Sequence, residues 1–153
     1  MNKSNAFTII ELIFVIVILG ILSAVALPKF TQTKELADVA KGRADVASIR
    51  SAILTDRQAH IIKGESDYIS ALCDGTGTGK IFDTNGTTDR KLLTYGIISS
   101  TQDGKWSKNG SCTSFNFKVD SVNIQFDYDN ATGSFTCDRT DVDTGTTCKK
   151  MVD

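Results

Sequence analysis

Hydrophobic positions along the chain fall into two regimes. Across residues 6–27 only Thr8, Glu11 and Ser23 interrupt an apolar run, while everything after Pro28 mixes polar and apolar residues as soluble protein does. At 1.5 Å rise per residue those 22 positions span about 33 Å, close to the roughly 30 Å hydrocarbon core of a bilayer. The segment is long enough to cross a membrane once. Pro28 lacks an N–H and clashes with the turn before it, so it bends the helix or opens its ladder locally without having to end it. Beyond it, Leu36, Val39, Ala40, Ala47, Ile53, Leu54 and Ile61 recur at spacings of three, four and seven, which predicts an amphipathic helix with that stripe buried. Gly64 after Lys63 supplies a stop, so the helix is expected to reach about residue 62, roughly 84 Å from Phe7 if continuous.

The opposite face carries Lys34, Glu35, Asp38, Lys41, Arg43, Asp45, Arg50, Asp56 and Arg57 and reads as solvated. Lys41 and Asp45 are spaced for an i,i+4 contact. Arg43, Arg50 and Arg57 repeat every seven residues, so pairing between subunits is the functional alternative for that face. Residues 65–112 are rich in Gly, Thr, Ser and Asp, with apolar islands at 68–72, 81–82 and 92–98, and read as a loop-rich connector. From Phe115 the period becomes two. Phe115, Phe117 and Val119 alternate with polar residues, Asp120-Ser121 can turn, and Val122, Ile124, Phe126 and Tyr128 resume the alternation. A second turn over residues 129–133 leads to Phe135 and Cys137. Three antiparallel strands with one apolar face need a cover, and the amphipathic helix provides it. The expected fold is therefore α+β, a long N-terminal helix packed on a small antiparallel sheet.

At 153 residues there is room for one globular unit. Lys and Arg number 17 against 18 for Asp and Glu, so no global field marks a nucleic-acid binder. Lys3 is the only charge before the apolar run and favours leaving the N-terminus in the cytoplasm, with the remainder outside. Cys73, Cys112, Cys137 and Cys148 lack a C-x-x-C spacing and fit disulfides in an oxidising compartment, which agrees with that topology. Four cysteines allow three pairings and the sequence does not choose; the pairing carried forward is Cys137 with Cys148 and Cys73 with Cys112.

Two readings compete for the N-terminus. In the secretory one, Ala24-Val25-Ala26 is an A-x-A cleavage site and the whole apolar run is discarded. Glu11 argues otherwise, because a carboxylate at mid-membrane costs about 2.5 to 3.5 kcal/mol on insertion scales and a disposable signal has no use for it. Cleavage just before Phe7 would create an α-amine near the helix start, and an ion pair between that amine and Glu11 of a neighbouring chain would relieve the desolvation. The stretch Ala6-Phe7-Thr8-Ile9-Ile10-Glu11-Leu12-Ile13-Phe14-Val15 resembles the processing site of type IV prepilins and type II secretion pseudopilins. It has a short basic leader, an aromatic first mature residue and Glu at the fifth, and Gly20 and Pro28 fall where that family commonly has helix-loosening residues.

The resemblance covers about residues 1–60. It implies a leader at 1–6, a transmembrane and assembly helix at 7–28, an amphipathic helix at 29–63 and a globular region at 64–153. It further implies cleavage between Ala6 and Phe7 by a prepilin peptidase, methylation of the Phe7 amine, and passage from the bacterial inner membrane through an assembly platform into a filament of like copies. The family usually has Gly where Ala6 stands, and Ala, the next smallest side chain, implies slower processing. In related pilins a C-terminal disulfide often fixes the outer loop.

Other chemistry is sparse. Asp74-Gly75-Thr76-Gly77-Thr78-Gly79-Lys80 departs from the phosphate-loop pattern at Asp74 and at Ile81 and reads as a flexible loop. Asp83-Thr84-Asn85-Gly86-Thr87 contains an N-x-T acceptor. Asp138, Asp141 and Asp143 crowd carboxylates as a calcium site would, similar to pseudopilins that bind calcium in a C-terminal loop, although full EF-hand spacing is missing. No other cofactor is expected. His60, the only histidine, has no evident Ser or Cys partner and is expected to be solvated, so an enzyme is not expected. Two alternatives to a pilus or pseudopilus subunit are a DNA-uptake pseudopilin, to which the charge lends no support, and a secreted binding domain starting at Leu27.

Overall fold

The computed structural model describes residues 7–74, 79–83 and 90–153. It divides into two compact units, residues 1–36 and 37–153. One helix, α1 (Ile9–Ile61), is assigned without interruption through Gly20 and Pro28 and is shared between them. In the first unit every described residue from 7 to 34 is exposed.

In the second unit α1 buries Val39, Gly42, Val46, Ile49, Ile53 and Asp56, alternating by three and four. This corrects the expected stripe. Of the residues named for it only Val39 and Ile53 are buried; Leu36, Ala40, Ala47, Leu54 and Ile61 are exposed. Both lines fit a helical period, but Gly42 and Asp56 interrupt the true one with residues that do not read as apolar. The helix ends as expected: Gly64 has φ +89°, and the Glu65 N–H reaches back to the His60 carbonyl at 3.0 Å, closing the last turn.

After the helix, β1 (Lys80–Ile81) and β2 (Ile97–Ile98) form a short antiparallel pair within the connector. The main sheet is antiparallel with four strands rather than three: β3 (Trp106–Lys108), β4 (Ser114–Val119), β5 (Val122–Asp129) and β6 (Ser134–Cys137), in that order. Strand β3 escaped sequence reading because three residues, W-S-K, are too few to show alternation. Asp120 and Ser121 both have positive φ, 46° and 65°, the geometry of a two-residue hairpin turn matched to strand twist. Phe115, Phe117 and Val119 on β4 and Ile124, Phe126 and Tyr128 on β5 point inward as their alternation requires, while Val122 at the turn is exposed.

Six aromatic rings fill the core beneath the sheet: Phe82, Trp106, Phe115, Phe117, Phe126 and Phe135, with neighbouring centroids 4.4 to 6.2 Å apart. The C-terminal segment, expected as a loop, instead forms α2 (Gly145–Val152), whose Gly145, Cys148 and Met151 face inward at i, i+3, i+6. An eight-residue helix rich in Thr and Lys offers too short a stripe to be read from pattern alone. The disulfides join Cys73 to Cys112 and Cys137 to Cys148. The second ties α2 to the end of β6.

Candidate assembly segment and the surfaces beside it

The segment begins with Thr8, just outside α1. Its backbone N–H donates to Glu11 Oε2 at 3.0 Å and its hydroxyl to the same oxygen at 2.8 Å, while the Glu11 N–H donates back to Thr8 Oγ1 at 3.3 Å. This is a capping box, T-x-x-E, in which side chains satisfy otherwise orphaned N–H groups of the first turn. Sequence reading missed Thr8 as the partner of Glu11, although the spacing was visible. One carboxylate oxygen takes both Thr8 donors, and among the described residues no cation sits on the other. Phe7, just before α1, and Ile9, Ile10 and Phe14 on the helix are 66 to 78% exposed. Its most apolar window has a mean hydropathy of 2.9 and none of it is buried, so by length and composition it can cross a membrane. Ala6 and the rest of the expected leader lie outside the described residues, as do the side chains of Leu27 and Pro28.

Several charges assigned to a solvated face are engaged within their own subunit. Asp56 is the one buried charged residue among those described, and Arg90 grips its carboxylate through Nε and Nη2. Arg90 Nη2 also donates to the Asp67 carbonyl, which pins the connector to α1. His60 is not fully solvated: Nδ1 lies 2.9 Å from the Asp56 carbonyl oxygen and 3.5 Å from its carboxylate. Arg57 donates to the Ser66 carbonyl and the Tyr68 hydroxyl and lies over the Tyr68 ring, while Arg50 donates to the Phe135 and Val152 carbonyls. Two of the three heptad arginines therefore hold their own globular unit together; Arg43 stays exposed. Lys41 lies 3.9 Å from Asp45, whose carboxylate accepts from Trp106 Nε1 at 3.0 Å. Burial lowers the Arg50 guanidinium, with nearby Arg139 adding to it, and burial pushes the Tyr128 phenol up to about 12.

Two of the three C-terminal aspartates are engaged locally through their carboxylates. Asp138 accepts from the Thr140 hydroxyl and N–H, and Asp141 from the N–H groups of Asp143 and Thr144 and the Thr144 hydroxyl. Those bonds hold both carboxyls below the usual aspartate range. Among the described residues no three His, Cys, Asp or Glu side chains converge as a metal would need. Most of the glycine-rich loop, 75–78, and the N-x-T acceptor at 85–87 lie outside the described residues.

The model of the prokaryotic N-terminal methylation motif matches residues 1–27. A type IV narrow pilus major component of Thermus thermophilus is 46% identical over 50 residues, 33% of this chain and 43% of that protein. A type II secretion system core protein G of Pectobacterium carotovorum is 39% identical over 51 residues, 33% of each chain. A fimbrial protein of Moraxella nonliquefaciens is 40% identical over 58 residues, 38% of each. The chain thus matches less than half the length of these relatives. No solved structure is similar enough to count as a match. The chain therefore carries the prokaryotic N-terminal methylation motif at the head of an exposed apolar helix, and over about a third of its length it is similar to type IV pilins and type II secretion pseudopilins.

Proposed function

We propose that the chain is a structural subunit of a type IV pilus-like filament or secretion pseudopilus. A prepilin peptidase cuts it between Ala6 and Phe7, the Phe7 amine is methylated, and the apolar helix leaves the inner membrane to pack among like copies. The observation that carries this reading is the methylation motif over residues 1–27, set on a helix whose apolar side chains the subunit leaves uncovered. Apolar surface of that extent needs either lipid or protein around it.

Glu11 has a part in each setting. In a lone subunit the Thr8 donors spread its charge over the first turn, where the helix dipole also favours an anion. In the polymer the same carboxylate accepts the α-ammonium of an adjoining Phe7 through its second oxygen, so the cap orients the acid rather than competing with the pair. The secretory alternative would discard both groups, and the near-neutral charge of the whole chain gives DNA uptake no positive support.

The test is filament recovery from cells carrying Glu11→Gln. The amide keeps the size and an acceptor for Thr8 but cannot bind an ammonium as an anion does. Membrane insertion is expected to be unchanged and filament incorporation to fall at least about tenfold, the loss of one charge-assisted contact in a low dielectric. Normal filament yield would overturn the pairing.

A further inference from the structure

Among the described residues there are four asparagines, Asn109, Asn116, Asn123 and Asn130, and the fold treats one of them differently. Asparagine is a chemically labile side chain because the backbone nitrogen of the next residue can attack its carboxamide carbon. The state of that following N–H and the room around it therefore decide which asparagine reacts. Asn116 and Asn123 lie inside β4 and β5 and precede the buried Phe117 and Ile124, and a paired, extended strand holds carboxamide and following amide apart. Asn130 precedes Ala131, whose N–H is occupied by Asp129 Oδ1 at 2.9 Å. Asn109 precedes Gly110, and both are exposed in the loop between β3 and β4. Gly110 has φ +73° with open space where a side chain would stand, and among the described residues its N–H has no hydrogen-bond acceptor. Asn85-Gly86 is the same pair in sequence but lies outside the described residues.

We propose that Asn109-Gly110 is a self-modifying site, at which the folded chain converts an amide into a carboxylate with water as the sole co-reactant. The Gly110 nitrogen bonds to Asn109 Cγ as the Cγ–Nδ2 bond breaks, and the Gly110 proton leaves with that nitrogen as ammonia. Water then opens the resulting imide. Breaking the new Cγ–N bond gives aspartate, and breaking the original peptide bond gives isoaspartate, with nothing oxidised or reduced. The neighbours give the change a consequence. Asp127, as a carboxylate, can only accept, so Gln125 turns Nε2 to both of its oxygens, at 3.0 and 3.1 Å, and Oε1 to Asn109 Nδ2, at 3.1 Å. A carboxylate at position 109 sets acceptor against acceptor. Gln125 then turns its amide over, and Asp127 keeps the Ser114 hydroxyl at 2.7 Å but loses both Gln125 contacts. The outer face of the sheet gains a negative charge beside an aspartate that has lost donors. None of this depends on the filament reading.

The experiment holds the full chain in mild detergent, near neutral pH and at mildly alkaline pH, in water enriched in heavy oxygen, and maps its peptides by mass. Asn109 is expected to exchange NH for labelled oxygen as a mixture of aspartate and isoaspartate, faster at the higher pH because the attacking nitrogen must lose its proton. Conversion there should be at least about tenfold faster than at Asn116, Asn123 or Asn130, whose segments must first open locally. In Asn109→Asp the Gln125 side-chain amide resonances should move to the positions that appear in the aged parent chain. No label at position 109 in the folded chain, once the urea-unfolded chain has converted there, would overturn the proposal. Equal rates at Asn109 and Asn130 would also overturn it, since the free Gly110 N–H would then confer nothing. Unmoved Gln125 resonances in Asn109→Asp would overturn the link to Asp127.

Discussion

Glu11 illustrates how a single residue can answer two demands. Near the start of an apolar helix a carboxylate is costly unless donors surround it, and Thr8 provides two of them from within the chain. Gly42 is a second position where one atom decides. A methyl group there would come within 2.5 Å of Met151 Cε and 2.7 Å of the Phe117 ring, so the helix lies on the sheet and on α2 only because no side chain intervenes. Gly42→Ala gains helix propensity but overpacks the core, and a net loss of about 1 to 2 kcal/mol is expected in urea unfolding of the full chain in mild detergent. Unchanged stability would mean the contact relaxes without cost. Tyr128 donates from its hydroxyl to the Ile69 carbonyl at 2.7 Å, and burial pushes its pKa up to about 12 from an ordinary 10. Because the folded state holds this proton more tightly than the unfolded state, its contribution is complete below pH 10 and is lost as pH rises toward 12. Stability should therefore fall over that window, and Tyr128→Phe should flatten the fall; equal slopes in parent and variant would exclude Tyr128 as its source.

At the scale of elements, α1 is where reading and structure part most usefully. Its length, its stop at Gly64 and its amphipathic half were legible from spacing, but the buried line was not. Most of the line that looked apolar turned out to be exposed, with only Val39 and Ile53 buried, because Gly42 and Asp56 disguise the true one. Asp56 was assigned to solvent since a charged residue usually belongs there; its partner Arg90 lies 34 positions on, a contact no local pattern reveals. That pair clamps the connector to the helix. Arg90→Ala would leave Asp56 buried and unpaired and should cost about 3 kcal/mol, while Asp56→Ala with Arg90→Ala should cost less than the two single losses added. A double-mutant cycle by urea unfolding measures this, and strict additivity would contradict the clamp. The β4–β5 hairpin was read correctly from alternation and its turn, whereas β3 and α2 were too short for any period to show.

For the whole molecule, the fold class and the long apolar helix could be read from sequence because both rest on long, repetitive patterns: an apolar run, a helical period and a strict alternation. What stayed hidden depends on contacts far apart in the chain, including the Trp106 bond to Asp45 and the arginines that hold the connector and α2. The central proposal concerns the N-terminus: that the apolar helix is retained rather than discarded and that Phe7 becomes a free, methylated amine. The most direct measurement is the mass of the N-terminal peptide of the mature chain, taken from the envelope of cells that make it. A chain beginning with N-methylated Phe7 is predicted; a chain beginning at Leu27, with Glu11 and the apolar run removed, would contradict the account.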